Sequence, residues 1–363
     1  MNTFEAEFAK IEEEYRSHPT DKLMEKINNE NPPIVVFGYG AVGNVIARNL
    51  LKAHGKVVAF CDNFKKGFNE ELGVPVISAD DLSKSYKDAI IVVAVCYKYN
   101  DEIYNQVLKI GFAPENVFRR YSGYELYNLD KLKQYYDGYQ WAYNFFDDDI
   151  SKQIILERIR GYLFYHVMAH SPCEDQYFEK EIMQLSNQEV FVDGGCYTGD
   201  TIEEFLKRVN KQYKYIYGFE PDETNYNMAK RNLTEYQNIE IISKGLWNRS
   251  ERVCFNSASS SSRIDDGGTD SIQLTSLDSY FSENQNRPLP TFIKMDIEGS
   301  EKNALLGAKK IISGVHPKLA ICVYHKPEDI FELTQIIQSL GAYHFTLRHY
   351  SPGDVETVLY AVC

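Results

Sequence analysis

Three groups of residues combine types and spacings that fit chemistry. In the run FVDGGCYTGD, Asp193 ends an apolar stretch, and Gly194, Gly195 and Gly199 follow it. Glycines allow a tight turn and a close approach to a ligand because they carry no Cβ. A helix opening near Thr198–Thr201 turns free backbone N–H groups toward that ligand. Glu220 ends the next apolar stretch, 27 residues after Asp193. An acid at the tip of a second parallel strand is placed to accept hydrogen bonds from ribose hydroxyls. The spacing is D-G-G-x-x-x-G rather than G-x-G-x-x-G. It suits the carboxypropyl and ribose end of S-adenosylmethionine better than a pyrophosphate.

The second group suits proton transfer. Asp296 and Glu298 stand two apart in KMDIEGSE, so on a strand their side chains point the same way. They are candidates for a base, a weak Mg²⁺ site or hydrogen-bonding partners of an acceptor. The alternative is that Asp296 ties the loop and Glu298 caps the helix that follows. His325 in VYHKPED titrates in the useful range and is the leading single base. Arg348 and His349, which end a later apolar run, are candidates to orient a hydroxyl or a phosphate, with a surface position as the favoured alternative. No third oxygen stands at a metal-loop spacing, so no metal site is expected.

The third group is Gly38-Tyr39-Gly40-Ala41-Val42-Gly43, a G-x-G-x-x-G run that follows an apolar stretch; Asp62 ends the next one, 19 residues after Gly43. This is a nucleotide-binding fingerprint in its proper context. A fingerprint reports binding and not reaction, so the ligand stays open among a nucleotide, a nucleotide-sugar and NAD(P). No dehydrogenase catalytic domain follows it.

The elements that must position these groups alternate between strand and helix. Residues 1–31 read as one helical segment, with Phe4, Phe8, Ile11 and Tyr15 at helical spacing. Residues 32–120 read as a Rossmann-like domain with strands at IVVFG, KVVAFCD, VPVIS, AIIVVAVC and Val117-Phe118. Residues 121–188 read as a helical connector capping the next domain. Residues 189–363 restart the alternation with strands EVFVDGG, YIYGFEP, IEIISKG, TFIKMDI, LAICVYH, HFTLRHY and ETVLYAV and helices over Thr201–Val209, Thr224–Leu233, Glu301–Ile312 and Asp329–Leu340. Continuous apolar strands separated by helices indicate parallel sheets covered on both faces. SPGD joins the last two strands as an antiparallel hairpin. The fold class is therefore α/β, with two doubly wound Rossmann-like domains. The serine-rich run Ser257–Arg263 reads as a loop before the fourth strand of the second domain.

FVDGGCYTGDT, GFEPD, KGLWN, TSLDSY, IKMDIEGSE, VYHKPEDI and the closing LRHYS…ETVLYAV occur in order over residues 147–363. In these motifs the chain resembles the FkbM-type methyltransferases. The resemblance implies a class I methyltransferase fold, S-adenosylmethionine as cofactor and O-methylation of a sugar or polyketide hydroxyl. It places Asp193 toward the amino group of the cofactor's methionine end. Gly194, Gly195, Tyr197 and Gly199 form the cradle, continued by Asp200 and Thr201. Glu220 and Pro221 lie at the ribose, Gly245, Leu246 and Trp247 near the adenine, and Asp296 beside the cofactor. An acid common at the adenine position in such enzymes is missing here. Residues 32–120 are similar to the small Rossmann-like domains of bacterial sugar-nucleotide acetyltransferases and polysaccharide epimerases, which implies binding of a nucleotide or nucleotide-sugar, often without redox chemistry.

Bulk properties narrow the partners. The chain has 363 residues and a net charge of −13, which argues against a polyanionic partner such as nucleic acid. Seven cysteines without a C-x-x-C pair fit a reducing cytoplasm. The acidic amphipathic start is unlike a signal peptide, and no apolar run reaches the ~20 residues of a membrane helix. The expectation is a cytoplasmic methyltransferase of surface-glycan biosynthesis acting on a small-molecule or glycan acceptor, with no membrane insertion and with homo-oligomerisation left open. The rivals are a bifunctional enzyme with an NAD(P)-dependent first domain and a non-catalytic nucleotide-sensing scaffold.

Overall fold

The computed structural model describes residues 3–17, 19–120, 129–164, 166–168, 175–256, 263–264 and 270–363. The chain forms two compact units. One comprises Met1–Gln140, Ile155–Ala169 and Ser351–Asp354; the other comprises Trp141–Ile154, His170–Tyr350 and Val355–Cys363.

Among its described residues the first unit has six strands, most of them apolar runs that are buried. These are β1 (Pro33–Phe37), β2 (Lys56–Cys61), β3 (Gly67–Asn69), β4 (Val74–Ile77), β5 (Ile90–Ala94) and β6 (Val117–Arg120). Their order is β3-β4-β2-β1-β5-β6, parallel throughout except for β3 against β4. Three residues long and half exposed, β3 gave no apolar signal. The N-terminal segment, read as one helix, is two: Phe4–Ser17 and Pro19–Asn29. Proline lacks an N–H and fits the first turn of a new helix better than the interior of an old one.

The second unit holds a seven-stranded sheet of β7 (Val190–Gly194), β8 (Tyr215–Phe219), β9 (Ile239–Ile242), β14 (Phe292–Met295), β15 (Lys318–Cys322), β16 (His344–His349) and β17 (Thr357–Val362). Its order is β16-β17-β15-β14-β7-β8-β9, with β16 and β17 antiparallel at one edge. Between β9 and β14 in the chain lie β10 (Gly245–Leu246), β11 (Glu251–Asn256), β12 (Arg263–Ile264) and β13 (Asp270–Thr275), a separate four-stranded sheet that sequence reading did not find. In β13 polar and apolar residues alternate, as in Ser271-Ile-Gln-Leu, with Ile272 and Leu274 buried and Ser271 and Gln273 exposed. Positions 257–262 of the Ser257–Arg263 run lie outside the described residues.

The helix read over Glu301–Ile312 is also two, Glu301–Leu306 and Lys309–Val315. The chain breaks at Gly307, where a Cβ would lie 2.1 Å from the Trp247 carbonyl oxygen. Arg348 and His349 are not surface residues. His349 is fully buried with Nδ1 2.8 Å from Thr357 Oγ1, and Arg348 pairs with Asp148 at 3.1 Å. Among the described residues no helix is long and apolar enough to cross a membrane.

Candidate active site

Parallel strands deliver their carboxyl ends to one rim, and in the second unit a cavity of about 540 Å³ opens there. Of the residues expected to hold a cofactor, Gly195, Tyr197, Asp200, Thr201, Glu220, Pro221, Gly245, Leu246 and Asp296 line it. The lining does not include Asp193, Gly194, Gly199 or Trp247.

Gly195 explains the glycine loop. Its φ is +75°, and a Cβ there would lie 2.0 Å from the Asp296 carbonyl oxygen. The loop after β7 and the loop after β14 are thus packed backbone to backbone, and the Asp296 N–H donates to the Gly194 carbonyl at 3.1 Å. Glu220 ties the other side. Its Oε2 accepts the Tyr197 N–H at 3.0 Å and its Oε1 the Asp222 N–H at 2.9 Å. Each oxygen keeps a lone pair for a further donor. Burial pushes this carboxyl up to about 7, against the pull of those two N–H groups. Gly199 meets Leu233 where a Cβ would stand, so its space is taken by packing. Trp247 donates its N–H to Thr275 at 2.8 Å and packs on the small sheet beside Ile272 and Leu274.

Asp193, expected to face the methionine end of a cofactor, is fully buried. Its Oδ1 lies 2.9 Å from Lys294 Nζ, and Lys294 itself lines the cavity. The same ammonium donates to the Gly195 carbonyl at 3.0 Å. Burial pushes Asp193 up to about 6 despite Lys294. Burial opposes the charge on Lys294, but Asp193 and then Asp296 hold it above the ordinary lysine range. Sequence reading passed over Lys294. The available signal was a lysine inside the apolar strand Phe292-Ile-Lys-Met, because a charge in a buried strand needs a partner.

Asp296 and Glu298 both line the cavity, though not as a strand pair. β14 ends at Met295, and Glu298 takes a left-handed turn at φ +55° ahead of Gly299 at φ +87°. Such backbone is costly for a residue with a Cβ and clusters at functional sites. Asp296 Oδ2 accepts the Tyr177 hydroxyl at 2.9 Å and Oδ1 the Tyr324 hydroxyl at 3.1 Å. Burial works against its ionisation, but Lys294 and His325 outweigh it and hold the carboxyl below the usual range.

His325 lies behind this carboxylate, outside the cavity lining. Nε2 is 3.6 Å from Asp296 Oδ1 and 3.7 Å from Glu298 Oε2, while Nδ1 is 3.2 Å from Glu301 Oε1. Burial disfavours the imidazolium, but Glu301, Asp296 and Glu298 lift its pKa to about 9. The result is a buried row of alternating charge: Asp193, Lys294, Asp296, His325, Glu301. One side-chain atom each of Asp296, Glu301 and His325 lies within 4.8 Å of the other two. These residues come from separate turns, so no sequence spacing revealed the grouping.

The cavity wall carries the carboxylates Asp200, Glu204, Glu220, Asp296, Glu298 and Glu356 against two cations, Lys294 and Arg208. Both cations are engaged. Lys294 holds Asp193, and Arg208 holds Asp175 at 2.5 Å and Glu204 at 2.8 Å.

The first unit's fingerprint has its own geometry. A Cβ at Gly38 (φ +124°) would lie 2.5 Å from the Ala94 carbonyl oxygen, and one at Gly43 only 1.8 Å from that of Gly38. At Gly40 a Cβ would meet nothing within 4 Å. Gly38 and Gly43 therefore bring β1 and the helix Ala41–Lys52 together, while the backbone at Gly40 is left open. Ala41 and Val42 form the first turn of that helix. Asp62 Oδ2 accepts the Tyr39 N–H at 2.9 Å, and Oδ1 accepts those of Phe64 and Lys65 at 2.9 and 3.0 Å. Burial opposes these bonds, yet they hold the carboxyl below its ordinary value. Gly43→Ala is expected to destabilise this unit by at least about 2 kcal/mol in urea unfolding, as overpacking against backbone does. Gly40→Ala is expected to change it by less than about 1 kcal/mol; equal losses in the two variants would contradict this division of roles.

Residues 193–346 match the family model described as the methyltransferase FkbM domain. Residues 30–118 match the model described as C2185-like, N-terminal. Among solved structures, methyltransferase FkbM from Methylobacillus flagellatus KT is similar over 98% of this chain and 98% of its own, at 22% identity and a TM-score of 0.77. An rRNA methylase from Streptococcus thermophilus is similar over 49% of this chain and 87% of its own, at 16% identity and a TM-score of 0.32. Aeropyrum pernix fibrillarin with natively bound S-adenosyl-L-methionine is similar over 50% of this chain and 71% of its own, at 12% identity and a TM-score of 0.32. No curated protein matches the sequence. The M. flagellatus structure shares the fold over almost the whole length, and the part of the chain that matches the methyltransferase FkbM domain, residues 193–346, holds most of the residues that line the cavity.

Proposed function

We propose that the protein transfers a methyl group from S-adenosylmethionine to a hydroxyl of a sugar or sugar-derived metabolite, in the making of a surface glycan. The observation that carries the cofactor reading is the interlock of Gly195 with Asp296, with Glu220 fixed beside it on the same cavity. This backbone has no room for a side chain, exposes a helix start at Asp200, and leaves lone pairs on a carboxylate where ribose hydroxyls would lie. The residues fit the cofactor, which when bound supplies an electrophilic methyl group on a sulfonium. Glu220 would accept the ribose hydroxyls, and Leu246 and Ile272 would offer apolar surface to the base.

Alignment is the main demand on the protein, and removal of the hydroxyl proton is the second. Asp296, held by two tyrosine hydroxyls, faces the cavity with His325 behind it. This pair would receive the proton. Incubation with labelled S-adenosylmethionine and a panel of sugars and sugar nucleotides, read by mass spectrometry, tests the reading. No methylated product together with no cofactor binding in calorimetry would reject it. Loss of product in His325→Ala but not in Asp296→Asn assigns the proton to His325; the opposite pattern assigns it to Asp296.

Cofactor affinity should depend on pH. Hydroxyl donors favour the ionised Glu220, which burial holds near 7. In the free protein the raised pKa means that this group's contribution to stability is lost as pH rises through that value, and ligand binding offsets the loss. Affinity is expected to rise roughly tenfold from about pH 6 to about pH 8, following the ionised fraction. In Glu220→Gln the profile is expected to be flatter and the affinity lower. A wild-type profile as flat as the variant's would remove Glu220 from the site.

For the first unit we infer binding of a nucleotide or nucleotide-sugar at Gly40. This is supported by the open space there and by the ordered loop between Tyr39 and Asp62. Release of NAD(P) from the purified protein would favour a redox ligand instead.

A further inference from the structure

We propose that Glu301 is a positioning residue for the methyl-transfer site: it holds the Nδ1–H of His325, so that Nε2 is the nitrogen turned toward Asp296 and the acceptor. The proposal rests on the methyltransferase reading above. Three observations support it.

Glu301 is fully buried at the start of the helix Glu301–Leu306, and its Oε1 accepts the Ile297 N–H at 2.8 Å. The carboxylate is therefore fixed before it meets the ring. Oε1 stands 3.2 Å from Nδ1, on the ring edge opposite the one that faces Asp296 and Glu298. His325 is itself buried, so water does not set its tautomer. A neutral imidazole has one N–H, and the acceptor of that N–H decides which nitrogen keeps a lone pair. The Glu301 carboxylate faces Nδ1 at 3.2 Å, nearer than Asp296 and Glu298 stand to Nε2, so its charge favours the proton on Nδ1 and leaves the neutral ring's lone pair on Nε2.

The step balances as follows. Where the ring is neutral, the acceptor O–H bond would break and its proton would pass through Asp296 Oδ1 to Nε2. The oxygen's electron pair would form the bond to the methyl carbon, and the C–S bond would break with its pair going to sulfur. His325 is left as an imidazolium with Nδ1–H on Glu301 and Nε2–H on Asp296, and it returns the proton to solvent after product leaves. The charged groups around the ring are Asp296 and Glu298 on the turn after β14, Glu301 on the helix, Lys326 and Asp329 after β15, Glu356 before β17, and Lys294 on β14. Asp329 is pushed by burial, and then by Glu301, up to about 8, and its Oδ2 accepts the Lys326 N–H at 2.8 Å.

Ring-nitrogen NMR of the full chain reads the tautomer and titration of His325 without any turnover. Glu301→Gln keeps an oxygen for the Ile297 N–H but removes the negative charge. Its His325 titration is expected to fall by at least about one pH unit, because an opposite charge at hydrogen-bond distance favours the charged form by that order. kcat is expected to drop about 10²-fold, in the range that general-base catalysis supplies, with KM within about twofold, and the acid limb of the rate profile should move to lower pH. Glu301→Asp is expected to keep the wild-type tautomer and recover most of kcat. The proposal is overturned if His325 titrates unchanged in Glu301→Gln, or if the neutral ring carries its proton on Nε2. It is also overturned if chelation abolishes activity and Mn²⁺ restores it, since the grouped atoms would then hold a cation. The NMR result stands whether or not methyl transfer is found, so the two readings fail separately.

Discussion

Lys294→Met is expected to destabilise the second unit by about 3–5 kcal/mol, the usual cost of removing one partner of a buried ion pair. The size follows from what is left behind. Asp193 is fully buried, and Lys294 Nζ is the cation within reach of its carboxylate, at 2.9 Å. Without that cation the carboxylate must stay charged in a poor solvent or take up a proton. The wild-type group sits at about 6, above its unfolded value, so its contribution to stability is largest at low pH and is lost as pH rises through about 6. In Lys294→Met the folded-state pKa should climb further, so the deficit against wild type should grow as pH rises above about 6, where the wild-type carboxylate has lost its proton and the variant's has not. Asp193→Asn combined with Lys294→Met should recover much of the loss. Urea unfolding across that pH range is the measurement, and a cost below about 1 kcal/mol, or one indifferent to Asp193, would refute the account. Cofactor binding should vanish with the single change, because the ammonium also holds the Gly195 carbonyl.

Gly195→Ala is the second large effect. The residue sits at φ +75°, where an added Cβ costs about 1–2 kcal/mol through local sterics alone. The heavier penalty is contact with the Asp296 carbonyl oxygen at 2.0 Å, which is backbone and cannot rotate away. Relief requires the loops after β7 and β14 to separate. That movement displaces both the cradle and the carboxylate facing the acceptor. Affinity for S-adenosylmethionine is expected to fall by at least about 100-fold, or about 2.7 kcal/mol, with circular dichroism near that of wild type. An alanine variant that binds within about threefold of wild type would show that the loop does not touch the cofactor.

All seven strands of the large sheet were legible, the five inner ones as apolar runs buried almost throughout and the edge strands β9 and β16 from their place in the strand–helix alternation and in the closing hairpin. So were the edge hairpin and the acid at the tip of β8. The small sheet was not, since β10 and β12 are only two residues long and β13 alternates buried and exposed residues, which resembles a loop. Within the site, Gly195, Glu220 and Asp296 were legible from motif and strand position. Tyr177 and Tyr324 were not, because a hydroxyl that supports Asp296 has no spacing rule and depends on chain segments meeting in space. Glu301 was read as an ordinary helix start. Its distinctive property is complete burial beside a histidine, which a one-dimensional pattern does not reveal. Glu298 shows the reverse case: two acids at an interval of two implied a strand face, whereas a left-handed turn brings both to the cavity.

The uneven wall of the cavity bears on turnover as well as on binding. Six carboxylates face two cations that already have partners, so above about pH 7, where Glu220 is ionised, the cavity favours positive charge over a neutral molecule of equal shape. Under the proposed reaction the donor loses its positive charge at the moment of transfer. The wall then distinguishes fresh from exhausted cofactor by electrostatics rather than by shape, weakening its hold on the by-product and limiting product inhibition. Because that preference is coulombic, it should shrink as ionic strength rises.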